Sequence, residues 1–232
     1  MSDQQAAKHN VLRDLRHHKM TIECDTNEHR CLHFGRPGSG IYSFRIITWP
    51  GALAIEGDCG SFTFSRLRDM FGFFRSSNGE ISVNLSYWAE KLVAISSPEA
   101  LRVVDESLWD ARVLAAFKSE WAFESGDDHD KALAELTDAY TGLIGRAPAS
   151  RAEAVEFATD YVCPVTDQSF ADVWEWQIES FGFHFVWCAH AIVWAIKRYD
   201  LHKFSRTQAD EDHLTLGGPR LPARSFKSVI QV

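Results

Sequence analysis

Cysteine and histidine gather early in the chain: Cys24, His29, Cys31 and His33 fall within ten positions, and Cys59 follows between two glycines. A strand sends successive side chains to opposite faces, so His29, Cys31 and His33 emerge together on one of them. Imidazole and thiolate are ligands that zinc prefers, which makes this face a candidate zinc site with Cys24 and Cys59 within reach. The spacing differs from the C-x₂-C and H-x₃-H loops that chelate locally. Residues two apart on one strand are also separated by about 7 Å and converge poorly. A sheet face carrying ordinary cysteine and histidine accounts for the same pattern.

Gly57-Asp58-Cys59-Gly60 is a second candidate. Two glycines permit an unusual backbone that would present the Cys59 thiol at a turn, with His29 or His33 as its base and Asp58 beside it. Such a thiol needs a base and an electropositive setting to become a nucleophile. Asp58 and Gly60 are equally the ordinary residues of a tight turn. Two further sets have plainer readings. Arg45, Arg66, Arg68 and Arg75 lie near Phe62, Phe64, Phe71, Phe73 and Phe74, the ingredients of a single-strand nucleic-acid platform, but Asp69 interrupts them. His184, Cys188 and His190 sit on an aromatic segment whose apolar character suits a buried helix with a hydrogen-bonded core histidine.

Charge offers a different kind of site. Net charge is −8, and residues 81–170 carry 16 acidic against 7 basic side chains, whereas 1–80 and 171–232 are nearly balanced. Glu120, Glu124, Asp127, Asp128, Asp130, Glu135 and Asp138 fall within 19 positions. A solvated helical surface explains such a run. The sharper reading is a face that imitates a nucleic-acid backbone or docks on a basic partner. The balance argues against broad attraction of the chain itself to nucleic acid.

The elements that position these residues follow from periodicity. Residues 5–19 read as a short amphipathic helix with a basic end, then MTIECD, HRCLHF, YSFRIITW, ALAIEG and SFTFS read as five strands. Thr26-Asn27-Glu28, Arg36 to Gly40, Pro50-Gly51 and Asp58-Cys59-Gly60 separate them, too short for crossover helices, so the sheet is expected to be an antiparallel meander. Helical spacing begins at Leu67, Met70, Phe71 and Phe74, and further helices are predicted at 85–95, 98–118, 129–144, 151–161, 168–179 and 183–203. Asp127 and Asp128, Ser150 and Ser97 are the expected N-caps.

The expectation is an α+β protein: a β-meander packed on a mostly helical C-terminal part, with segments 1–80, 81–204 and a C-terminal arm or disordered tail, 205–232. The 45% hydrophobic content, eight Trp and sixteen Phe require a folded core. An odd, scattered set of five cysteines and an N-terminus without an apolar leader point to a reducing cytoplasm. The most apolar run, Phe181 to Ile196, is 16 residues long, short of the roughly 20 needed to span a bilayer.

The segment His29 to Arg75 contains YSFRIITWPG, Gly57-Asp58 and FSRLRDMF. Together with FHFVWCAHAIVWAIKRYD it resembles a family of uncharacterised proteins carried by bacteriophages and prophages. The resemblance spans most of the chain and is weakest across 100–165. It implies context rather than catalytic residues: phage accessory proteins often act on host machinery, including CRISPR and other defence systems. The functional expectation is a phage-borne protein in the bacterial host cytoplasm that binds and inhibits a host protein or nucleoprotein complex through its acidic surface. The alternative is a small metal- or thiol-dependent enzyme acting on nucleic acid or nucleotides.

Overall fold

The computed structural model describes residues 3–75, 81–138 and 141–203. The expected arm at 205–232 lies outside them. The fold is α+β, and the described residues form two compact units, one from those of 3–96 with 184–203 and the other from those of 97–183. The aromatic helix grouped with the helical part on sequence therefore belongs with the sheet.

In the first unit, helix α1 (Asp3–Leu15) precedes six strands: β1 (Lys19–Thr26), β2 (His29–Gly35), β3 (Phe44–Trp49), β4 (Ala52–Gly57), β5 (Gly60–Ser65) and β6 (Leu92–Ile95). Their spatial order is their chain order, and every neighbouring pair is antiparallel, as the short connections required. The sixth strand falls where a helix was predicted over 85–95. That stretch divides into α3 (Leu85–Ala89) and β6. The short run Leu92-Val93-Ala94-Ile95 has no periodicity that distinguishes helix from strand, and pairing with β5 decides it.

Alternation gives the sheet two faces. Leu32, Phe34, Phe44, Ile46, Leu53, Ile55, Phe62 and Phe64 point inward and are fully or almost fully buried. Helix α7 (Phe183–Lys203) covers this face from β5 to β1. Phe185 meets Phe62, Trp187 meets Phe44 edge-on at 5.6 Å, Trp194 meets Phe34 edge-on at 5.5 Å, and Tyr199 hydroxyl donates to Asp25 of β1 at 2.8 Å. Helix α2 (Met70–Phe74) closes the same side, capped by Asp69, with Phe71 against Tyr199 and Phe74 against Phe64. Edge-to-face packing places each ring's positive edge on its neighbour's negative face.

The second unit holds a two-stranded ladder, β7 (Arg102–Val104) with β8 (Glu179–Phe181), and helices α4 (Glu106–Glu120), α5 (Gly126–Leu136) and α6 (Arg151–Asp160). The predicted 168–179 helix is instead a single 3₁₀ turn, Val173–Glu175, running into β8. Its core is aromatic: Trp109 packs on Trp176, Trp176 on Phe170, and Phe170 on Trp121. Trp109 Nε1 donates to the Leu143 carbonyl at 2.7 Å, and Arg151 donates to the carbonyls of Trp174 and Trp176, pinning the turn. No helix among the described residues is long and apolar enough to cross a membrane.

Candidate functional site

The outer face of the sheet carries the sequence-predicted chemistry. His29, Cys31 and His33 alternate with the inward Leu32 and Phe34, as expected, but they do not converge. Cys31 Sγ donates to Glu23 Oε2 at 3.0 Å, and His33 Nε2 lies 3.1 Å from Ser43 Oγ. Among the described residues no group of three or more His, Cys, Asp or Glu is placed to hold a metal ion, so this face offers zinc no closed ligand set.

Cys59 is not the exposed turn thiol that its flanking glycines suggested. It is 4% exposed. Burial first, then the negative charges of Asp58 and Asp14, push its thiol up to about 12. Burial, the Glu23 hydrogen bond and the Glu23 charge push Cys31 to about 11. A nucleophilic thiol needs the opposite shift. Asp58 has a structural task. Its carboxylate accepts from the Tyr42 backbone N–H at 2.8 Å, and Tyr42 holds a left-handed φ of 57° while stacking on Trp187 at 5.3 Å. His18 Nε2 contacts the Tyr42 carbonyl at 3.0 Å, so the loop before β3 is held from both sides.

His33 therefore has a partner that spacing did not identify. Ser43 precedes β3, and its carbonyl accepts from Asp58 N–H at 3.0 Å. Gly57 makes this approach achievable: a Cβ there would lie 2.2 Å from the Ser43 carbonyl oxygen. Gly35 leaves room on the other side, where a Cβ would stand 3.2 Å from His33 Cε1 and 3.4 Å from Ser43 Oγ. Beside the pair, Arg45 bridges Glu23 at 3.3 Å and Glu56 at 3.7 Å.

Three of the four arginines are spent on carboxylates, and Arg66 is exposed without an ion pair among the described residues. Arg45 has these two partners, Arg68 pairs with Glu28, and Arg75 holds Asp200 through two bonds of 2.9 and 2.7 Å. Arg30 grips Asp69 in the same way while lying over the Phe71 ring. Phe62, Phe64, Phe71 and Phe74 are buried and unavailable for stacking on bases, and the half-buried Phe73 packs on Phe74, Tyr87 and Trp88. On α7, Cys188 is 1% and His190 3% exposed. Neither ring nitrogen of His190 has a hydrogen-bond partner among the described residues, which departs from the hydrogen-bonded core histidine expected.

The acidic residues separate into two kinds. Ser125, not Asp127 or Asp128, caps α5: its Oγ accepts from Asp128 N–H at 3.2 Å and donates to Asp128 Oδ2 at 2.8 Å. Asp138 accepts from the backbone and hydroxyl of Thr141, which fixes a turn. These two belong to the fold. Glu120 reaches Arg112 at 3.4 Å, Asp127 pairs with Lys131 one turn on, and Asp130 contacts His129. Glu124 is exposed, with no ionic or hydrogen-bonded partner among the described residues, and Glu135 is half-buried in α5. Compared with known proteins, the chain matches no family model, no curated protein and no solved structure.

Proposed function

We propose that this chain is a binding protein whose contact surface is the acidic corner formed by the end of α4, the following loop and the start of α5. The observation that carries the reading is local: residues 120–130 hold five carboxylates and no Lys or Arg, and Glu120, Glu124, Asp127 and Asp130 are exposed. Arg112 and Lys131 offset only two of these carboxylates, and the remaining excess of negative charge attracts a basic partner and steers its approach. The partner class is a host nucleic-acid-binding protein, such as a component of a CRISPR or other defence complex. Resemblance to phage-borne proteins supports that context.

The test is a quantitative pull-down from bacterial lysate comparing the wild type with Glu124→Gln/Asp127→Asn/Asp130→Asn. Asp128 and Asp138 are left intact because they build the fold. The expected result is a saturable set of nucleic-acid-binding proteins, retained at low salt, released as salt rises and displaced by added nucleic acid, that the triple variant loses. Equal retention by both proteins overturns the reading.

One contact favours an enzymatic alternative, with a hydroxyl in place of the expected thiol or metal. His33 Nε2 stands within hydrogen-bond reach of Ser43 Oγ at 3.1 Å, the relation of a base to a nucleophile. A fluorophosphonate probe reads it directly: Ser43 Oγ would bond phosphorus, fluoride would leave and His33 would take the proton. Labelling that disappears in Ser43→Ala supports an enzyme, and absence of labelling ends that alternative.

A further inference from the structure

A bulge in β1 sets two thiols opposite one another on the exposed side of the sheet. Along β1, Ile22 pairs with Leu32 and Cys24 with Cys31, so Glu23 is the extra residue between them. Glu23 and Cys24 consequently both face outward across from Cys31, both exposed, while Met20, Ile22 and Asp25 keep to the inner side. Strict alternation from Met20 and Ile22 would have turned Cys24 inward; the bulge turns it out. Directly opposed residues of an antiparallel pair have Cα atoms about 4.5–5.5 Å apart. A disulfide spans about 4.4–6.8 Å, a range that includes that separation.

Local chemistry distinguishes the two sulfurs. Cys24 is exposed and Cys31 partly covered, and Cys31 Sγ donates to Glu23 Oε2 at 3.0 Å. The other three cysteines, Cys59, Cys163 and Cys188, are 4%, 0% and 1% exposed and inaccessible to a solute. We propose that Cys24 and Cys31 form a reversible cross-strand dithiol site that reacts with low-molecular-weight disulfides of the glutathione class.

Cys24 thiolate attacks one sulfur of the oxidant, whose S–S bond breaks; one thiolate leaves and a mixed disulfide remains on Cys24. Cys31 then passes its proton to the Glu23 carboxylate, and its sulfur attacks Cys24 Sγ. The intramolecular S–S bond forms as the second thiolate leaves and takes up a proton. One small disulfide is reduced to two thiols, and two cysteines are oxidised. Burial and Glu23 hold the Cys31 thiol protonated, which assigns the first attack to Cys24 and the closing step to Cys31. The site does not depend on the acidic corner.

The experiment treats the full chain with oxidised glutathione, quenches with an alkylating reagent and maps the cysteines by peptide mass spectrometry. The wild type should lose two hydrogens and yield a Cys24–Cys31 crosslink, whereas Cys31→Ser should retain glutathione on Cys24. Because ring closure is intramolecular, the adduct on Cys24 should be at least about tenfold scarcer in the wild type than in that variant. Cys24→Ser should take up glutathione about tenfold more slowly than the wild type. Equal adduct on Cys24 in the wild type and Cys31→Ser, a crosslink between two chains, or a crosslink to another cysteine overturns the proposal.

Discussion

The sheet unit and the helical unit spend their charges differently. On the sheet, Arg45 lies between Glu23 and Glu56, Arg30 holds Asp69, Arg68 holds Glu28, Arg75 holds Asp200, and Lys203 holds Asp25. These pairs tie strands to one another and to α2 and α7. In the helical unit the end of α4 and the start of α5 gather carboxylates, with Arg112 and Lys131 as the counter-charges and the His129 ring beside Asp130. Charges matched across strands serve the fold, and an unmatched excess is available to a partner. Stability should therefore respond to the sheet's interior and binding to the corner, and substitutions in the two places should separate cleanly.

The largest effect belongs to the inner face. Trp194 is 2% exposed and packs edge-on against Phe34. Trp194→Ala should cost about 3–5 kcal/mol, read as a lower urea midpoint, because a cavity replaces a buried ring. Next is a pH effect in the same core. Burial, with Lys8 adding to it, lowers His190 to about 4, against an ordinary value of 6.5. A depressed histidine binds its proton more readily unfolded than folded. Its contribution is thus complete above pH 6.5 and is lost as pH falls towards 4. The gap corresponds to about 3 kcal/mol, and His190→Gln should flatten urea stability across that window. An unchanged slope would show that the ring is accommodated when charged.

Smaller still is the cap of α5. Ser125→Ala should cost about 1 kcal/mol by removing the acceptor for Asp128 N–H, measured as a lower midpoint for the unit that carries it. The smallest effect on folding should come from Glu124→Gln/Asp127→Asn/Asp130→Asn, within about 0.5 kcal/mol of the wild type, since these side chains are exposed. A large loss there would mean that the corner is structural and would break the comparison.

The same contrast explains what was legible in the sequence. The five strands from Lys19 to Ser65 could be read because alternation and turn residues agree: Asn27 and Gly51 take left-handed backbone at the positions their residue types suggested. Helix α7 was read to its end residues from its apolar surface alone. Strand β6 was not, since its four residues gain identity only by pairing with β5. Nor was the outward turn of Cys24, because a bulge is a property of two strands and periodicity describes one. Ser43 was missed for a related reason. Its meeting with His33 depends on the register of β2 with β3 and on the loop that Asp58 holds, neither of which spacing encodes. At the corner, residue type revealed the charge, but only geometry separated Asp128 and Asp138, which build the backbone, from Glu124, which is free to meet a partner.

The most direct measurement of the central claim is the salt dependence of binding to a basic protein recovered from the lysate pull-down, wild type against Glu124→Gln/Asp127→Asn/Asp130→Asn. The account predicts weaker binding and a shallower salt slope for the variant, with folding intact. The same affinity and the same slope in both proteins would contradict it.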